Sequence, residues 1–286
     1  METPALSSAT VTDVHLGSIA CTLGSRRRAF LQTSPEFHMK RLLAAGSGPI
    51  YQLCRAFRDG ESGPLHNPEF TLLEWYRPGF DHHALMGEVE ELLGMLLGTA
   101  AGRRVTYRDA FLEACGLDPH RATAAELRHR VRELGLELSA DLGSGEEARD
   151  DWLALLLTHA VEPTLSREAP TFLYDFPATQ AALARVRPGS PPVAERFEVY
   201  CRGVEIANGY RELRDPEEQR SRFEADSLRR RRRGLPDVAP DERLLAALES
   251  GLPECAGVAL GVDRVVMLAA GATRIDAVTA FPIHRA

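Results

Sequence analysis

Two β-prone runs flank a long polar loop, and that arrangement limits what this chain can fold into. Ile50–Phe57 reads as one strand and Glu69 to about Tyr76 as a second. Between them stands Arg58-Asp59-Gly60-Glu61-Ser62-Gly63-Pro64-Leu65-His66-Asn67-Pro68. Ordinary hairpin loops hold about two to five residues, and longer ones often carry function. Strand signal returns at Thr171–Phe176, Arg196–Tyr200, Val204–Ala207 and Val258–Leu260. Strands and helices mix without regular βαβ alternation, so the expected class is α+β, an antiparallel sheet flanked by helices. No GxxxxGK[ST] or GxGxxG follows a strand, which leaves P-loop and Rossmann readings without support.

The helices announce themselves by caps and periodicity. Ser34 as N-cap and Pro35 at the first position open a helix whose apolar face is Met39, Leu42 and Leu43, with Gly46 as its stop. Asp81 caps a second helix, in which Leu85, Val89, Leu92, Leu93, Leu96 and Leu97 follow the 3.6 period up to Gly98. Residues 107–165 read as mostly helical, with an exposed turn over Asp141–Asp150. Asp215-Pro216-Glu217-Glu218 starts a helix that ends in Arg229–Arg233, then Gly234 and Pro236. Cations there suit the helix dipole, or else meet an acidic partner. Gly261-Val262-Asp263-Arg264 leads into an apolar helix, Val265–Ala270. Near the N-terminus, Ala9–Val14 and Ile19–Leu23 are β-prone, and Arg26-Arg27-Arg28 is expected as a solvated turn between elements.

The net charge of −7 argues against a generally basic nucleic-acid surface. Five cysteines, an odd number without CxxC spacing, argue against a disulfide framework or a four-cysteine zinc site. No apolar run reaches the roughly 18 residues of a membrane span, and no basic-then-apolar start suggests a signal peptide, so a soluble cytoplasmic chain is expected. Of the 34 lysines and arginines, Lys40 is the one lysine. Either an ammonium is needed there or it survives by chance in an arginine-biased sequence.

Three segments gather charge beside strands: Arg58 with His66, Asn67, Glu69, Glu74, Tyr76 and Arg77; Glu195 to Glu212; and Asp263 with Arg264. Alternate residues of a strand share a face, so Glu74 and Tyr76 point the same way. A turn at Arg202-Gly203 would set Glu198 and Glu205 on neighbouring strands. Carboxylates of this kind hold Mg²⁺ or ammonium groups, and arginines hold phosphates. Spacing alone goes no further than a nucleotide site.

Phe57-Arg58 … His66-Asn67-Pro68-Glu69-Phe70 resembles motif 2 of class II aminoacyl-tRNA synthetases, Gly257-Val258-Ala259-Leu260-Gly261-Val262-Asp263-Arg264 resembles motif 3, and Met1-Glu2-Thr3-Pro4 resembles the end of motif 1. Thr33-Ser34-Pro35-Glu36 and Gly203–Leu213 narrow the likeness to the lysyl branch. Within it the chain is most similar to the short paralogues that ligate (R)-β-lysine to elongation factor P. The likeness covers nearly the whole chain, which implies a single catalytic domain over 1–286 with a helical insertion at about 107–165.

The resemblance implies a mechanism and assigns roles. A substrate carboxylate attacks the α-phosphate of ATP, pyrophosphate leaves, and the acyl-adenylate passes its acyl group to a lysine amine of elongation factor P. Arg58 would grip the α-phosphate and Arg264 the γ-phosphate. Glu198 and Glu205 would hold Mg²⁺. Phe70 would stack on adenine, with Asp59, Gly60, Asn67, Ile206 and Gly261 lining the nucleotide site. Glu36, Glu74 and Glu212, with Ser34 and Tyr76, would receive the two ammonium groups of (R)-β-lysine, and Pro35 would line the substrate site. Ala259 stands where lysyl-tRNA synthetases usually carry glycine, a change worth about 1–3 kcal/mol in discrimination.

Two departures from the family pattern set the alternatives. Gly60 stands where motif 2 normally has glutamate, and Glu61 substitutes for it if the glycine allows a bulge. Members of the family also have a helix ahead of motif 1 that helps build a homodimer, whereas this chain starts inside the motif; either the start is misassigned, the chain is a fragment, or the domain lacks that helix and part of its dimer interface. A non-catalytic regulatory paralogue and a truncated lysyl-tRNA synthetase are the competing readings. With no room for an anticodon-reading OB-fold and an acidic surface, tRNA is not the expected acceptor.

Overall fold

The computed structural model describes every residue except Ser25, residues 137–141, Ser144 and Ser166. In chain order the strands are β1 (Leu6–Ser7), β2 (Ala20–Leu23), β3 (Arg27–Leu31), β4 (Ile50–Phe57), β5 (Glu69–Pro78), β6 (Arg103–Thr106), β7 (Thr171–Pro177), β8 (Val186–Arg187), β9 (Val193–Cys201), β10 (Val204–Arg211) and β11 (Cys255–Gly261). The helices are α1 (Glu36–Ala44), α2 (His82–Leu97), α3 (Tyr107–Cys115), α4 (Ala124–Glu133), α5 (Arg149–Leu156), α6 (Pro216–Arg232), α7 (Glu242–Gly251) and α8 (Val262–Ala269). Two compact units result: Met1–Gly87 with Ile206–Ala286, and Glu88–Glu205.

In the first unit β4, β5, β11 and β10 lie side by side, each pair antiparallel. The long hairpin is present as expected, with Ile50 opposite Tyr76 and Phe57 opposite Glu69. Period-two alternation then fixes the faces. Phe70, Leu72, Glu74 and Tyr76 stand on one face of β5. Glu74 lies level with Gln52 of β4 and Ala259 of β11. Helix α1 packs on α7. A small sheet in the order β1-β3-β2 completes the unit, tied on by the Phe57 N–H donating to the Gln32 carbonyl at 2.9 Å.

The second unit centres on β7, with β6 parallel to it on one side and β9 antiparallel on the other. Tyr107, Phe111, Leu127, Trp152, Leu153, Leu156 and Phe176 form its buried core, and Tyr107 stacks on Phe111 at 4.5 Å between ring centroids. Burying each such side chain contributes about 1.5–3 kcal/mol. The Thr106 cap and a full capping box at Thr123 and Glu126 start α3 and α4. Arg202 (φ 52°) and Gly203 (φ 81°) make the expected tight turn after β9. Asp141 and Ser144, in the stretch expected as an exposed turn, lie outside the described residues; Glu146–Ala148 of that stretch forms a short 3₁₀ turn leading into α5.

Some expectations need correction. Ala9–Val14 is not a strand: Thr10 bonds Ser18 and Thr12 donates to Asp226, so the hydroxyls tie down a loop. Arg27 and Arg28 belong to β3, where Arg28 lies over the Phe30 ring, and the turn falls at Arg26 (φ 68°). Helix α1 begins at Glu36 with Pro35 at its N-cap, because the Ser34 hydroxyl serves two partners described below. Helix α8 starts at Val262, and α7 had no counterpart in the sequence reading although Asp241 caps it well.

Candidate active site

Three glutamates meet in the interior of the first unit. Glu74, on β5, accepts from the Ser34 hydroxyl at 2.8 Å and from the Tyr76 phenol at 2.7 Å. Ser34 also accepts from the Glu36 N–H, so one hydroxyl fixes both the start of α1 and the Glu74 carboxylate. One turn into α1, Lys40 places its ammonium 2.6 Å from Glu36 Oε1 and 2.6 Å from Glu212 Oε2. Glu74 and Glu212 are each 2% exposed and Lys40 is 1% exposed. Ionised groups this deep are retained only when paired and hydrogen-bonded.

Titration follows from that crowding. Burial pushes the Glu74 carboxyl well above the ordinary range, and the Glu36 charge adds to this against the bonds from Tyr76 and Ser34. Glu212 is also raised, by burial and by Glu36, with Lys40 opposing. Burial works against the charge on Lys40, but Glu212 and Glu36 outweigh it and its pKa lies above the usual value. The Tyr76 phenol is raised by burial and by the carboxylates, so it stays protonated and donates. Gly257 completes the wall. A Cβ there would come within 2.3 Å of Tyr76 Cε1 and 2.6 Å of Glu212 Oε1, so only glycine lets the ring and carboxylate close on β11.

The two arginines lie at the hairpin loop of the same unit. Arg58 places its guanidinium 5.0 Å from the Phe70 ring centroid and 3.6 Å from Glu61. Arg264, in the first turn of α8, donates to the Leu65 carbonyl at 3.3 Å and to His66 Nε2 at 2.7 Å. Burial and Arg264 hold the His66 pKa below its ordinary value, with Arg58 lowering it too. The neutral imidazole thus senses both guanidiniums. Asp263 fixes the approach by accepting from the Thr71 N–H at 2.6 Å, next to Phe70. Gly60 has φ 78°, a conformation other residues rarely adopt, and it turns Glu61 toward Arg58. Asn67 donates to the Glu69 carbonyl and accepts from the Ile283 N–H. Asp59 donates its N–H to the Gly17 carbonyl.

A second acidic cluster lies within Glu88–Glu205. Glu198 accepts from Arg196 at 2.5 Å and from the Tyr200 phenol at 2.7 Å. Burial, then Glu198, Glu205 and Glu162, raise the Tyr200 pKa well above normal. Among the described residues no group of three or more His, Cys, Asp or Glu is arranged to hold a metal ion by itself.

A family model described as tRNA synthetases class II (D, K and N) matches residues 1–285. The chain belongs to the class II aminoacyl-tRNA synthetase family. Its curated relatives include proteins named elongation factor P--(R)-beta-lysine ligase. The one from Vibrio cholerae serotype O1 is 53% identical, over 100% of this chain and 89% of the relative. Those from Pectobacterium carotovorum and Proteus mirabilis are 52% and 53% identical with the same coverage.

In class II terms, the Arg58 and Arg264 segments are joined through His66 and Asp263, and Ser34, Glu36, Glu74, Tyr76 and Glu212 form one connected network. Ala259 is level with Glu74 on the neighbouring strand, and Gly261 is level with Leu72. Ile206 is buried on β10. Sequence reasoning missed three participants. Lys40 was noticed as a singleton but not placed in the network. Gln52, 1% exposed and level with Glu74, and Gly257 carry signals visible only once strand register is known.

Proposed function

We propose that this chain is an ATP-dependent, AMP-forming ligase that activates (R)-β-lysine and transfers it to a lysine side chain of elongation factor P. The observation that carries this is the Glu36–Glu74–Glu212 network together with the two motif arginines, Arg58 and Arg264, all within one unit. A doubly cationic amino acid suits the first and a polyphosphate suits the second. Relatives at 52–53% identity over the full chain bear the corresponding name.

Arg58 and Arg264 neutralise phosphate charge, Arg58 at the α-phosphate and Arg264 at the γ-phosphate, as bidentate guanidiniums do. The substrate carboxylate oxygen bonds to the α-phosphorus, the bond to the β-phosphate oxygen breaks, and pyrophosphate leaves with that electron pair. The acceptor amine then bonds to the acyl carbon, AMP departs and the amine gives up a proton. Ser34, Pro35, Glu36, Glu74, Tyr76, Glu212 and Ala259 orient the amino acid, which is positioning catalysis more than covalent work. Phe70 carries the adenine, with Asp59, Gly60, Asn67, Glu205, Ile206 and Gly261 around the nucleotide. Glu198 and Glu205 supply hard oxygen donors. That fits Mg²⁺, which takes one or two carboxylates and fills its shell with phosphate oxygens and water; the ion would neutralise phosphate charge. The family match over residues 1–285 supports one catalytic domain with the helical segment at about 107–165 inserted in it. Action in the cytoplasm, as a homodimer, belongs to the same reading; no helix among the described residues is long and apolar enough to cross a membrane.

ATP–pyrophosphate exchange tests the proposal. (R)-β-lysine should drive exchange more strongly than α-lysine, and label should move from (R)-β-lysine to elongation factor P. Exchange with neither amino acid contradicts the proposal, and acylation of tRNA in place of the protein selects the truncated synthetase.

A further inference from the structure

Lys40 stands among the groups assigned to the substrate, yet it has the sign of the ligand. Its ammonium touches one oxygen of Glu36 and one of Glu212, while among the described residues Glu74 accepts from two neutral donors, Ser34 and Tyr76. With Glu74 giving up its proton as the ligand binds, three carboxylates against one ammonium leave the pocket with two negative charges in excess. A ligand with two ammonium groups closes that difference.

We infer that Lys40 is a positioning residue that sets the charge the pocket demands and aims Glu36 and Glu212 at the incoming amines; this rests on the substrate reading above. Two further observations support it. The Lys40 ion pairs are built from two of the three carboxylates of the network. And 33 of the 34 basic residues are arginine, while this site holds lysine. A guanidinium is a broad planar fork, whereas an ammonium is a compact point charge that fits between two carboxylates 2.6 Å away on either side. Arginine bias in the sequence explains the 33 and leaves the exception to the site.

The test compares Lys40→Met, Lys40→Ala and Lys40→Arg with the wild type in ATP–pyrophosphate exchange driven by (R)-β-lysine. Lys40→Met should raise the KM for (R)-β-lysine at least about tenfold and leave the KM for ATP within about twofold. Lys40→Ala should regain part of the loss when n-butylammonium is added, and none with n-butanol, because only the former restores the charge. A merely structural lysine would give parallel losses for both substrates and no selective rescue, and that result overturns the inference, as does an unchanged KM for (R)-β-lysine. If Lys40→Met and Lys40→Ala do not fold, Lys40→Arg decides: it keeps the charge, and a raised KM for (R)-β-lysine alone supports the inference while an unchanged one overturns it. Wild-type protein silent with both (R)-β-lysine and α-lysine shows that the substrate reading has failed, and the inference falls with it; wild-type exchange with insensitive variants removes the inference alone.

Discussion

The acidic pocket and the arginine loop occupy the same unit but are held in opposite ways. In the pocket Lys40, Glu74 and Glu212 are buried and Glu36 is partly so, and the charged groups are engaged: Lys40 by two carboxylates at 2.6 Å, Glu74 by two hydroxyl donors. At the loop the guanidiniums make longer or uncharged contacts. Arg58 has a carboxylate only at 3.6 Å and an aromatic face at 5.0 Å, and Arg264 has a neutral imidazole and a backbone carbonyl. A pocket for a small cation benefits from being built in advance, since burial strengthens each interaction and little must move. A phosphate site gains more if its arginines hold partners that a phosphate displaces at small cost. The two regions should therefore fail differently when mutated.

The largest effect should come from the loop. Arg264→Ala should lower kcat for exchange about 10²–10³-fold, the usual scale for losing one preorganised charge stabiliser, while calorimetric affinity for (R)-β-lysine stays within about twofold. An equal loss of both would erase the contrast. Next, Glu74→Gln should weaken (R)-β-lysine binding about 10–100-fold, from a charged hydrogen bond worth about 1.5–3 kcal/mol, with the KM for ATP little changed.

The same substitution should raise thermal stability at pH 8. Glu74 has a raised pKa in the folded chain, so above about pH 4.3 the folded state holds a proton that the unfolded state has released. Stability is then lost as pH rises from that unfolded value through the folded one, and glutamine removes the loss. Melting curves of the two proteins should separate at pH 8 and converge near pH 4.

These predictions rest on features of unequal legibility. The β4 boundaries and most of β5 could be read directly, because period-two alternation and the Gly/Pro-rich loop agree with the tertiary fold. The Asp215 cap and the Gly46 and Gly98 stops were equally plain, being local chemistry. Lys40 was visible only as an oddity, since its partner Glu212 is brought to it by the packing of distant segments. Ala9–Val14 misled because β-branched threonines there use their hydroxyls laterally. Gly257 looked like ordinary motif text; its necessity comes from the Tyr76 ring lying across the next strand.

That glycine sharpens the comparison further. Gly257→Ala should press a methyl onto Tyr76 and Glu212, destabilise the protein by about 1–3 kcal/mol in urea titrations, and raise the KM for (R)-β-lysine more than that for ATP. The smallest effect should follow His66→Ala. If the imidazole is a displaceable placeholder, exchange rates should change by less than about threefold; a loss as large as that of Arg264→Ala would make His66 part of the machinery.

The claim at the centre is that buried carboxylates receive the amines of a diamino acid. Calorimetric titration of (R)-β-lysine at pH 7.5, repeated in buffers of different ionisation enthalpy, tests it most directly. The account predicts proton release on binding by the wild type, because a bound ammonium draws the raised Glu74 pKa down, and loss of that release in Glu74→Gln. Equal affinity and equal proton release in the two proteins would contradict it.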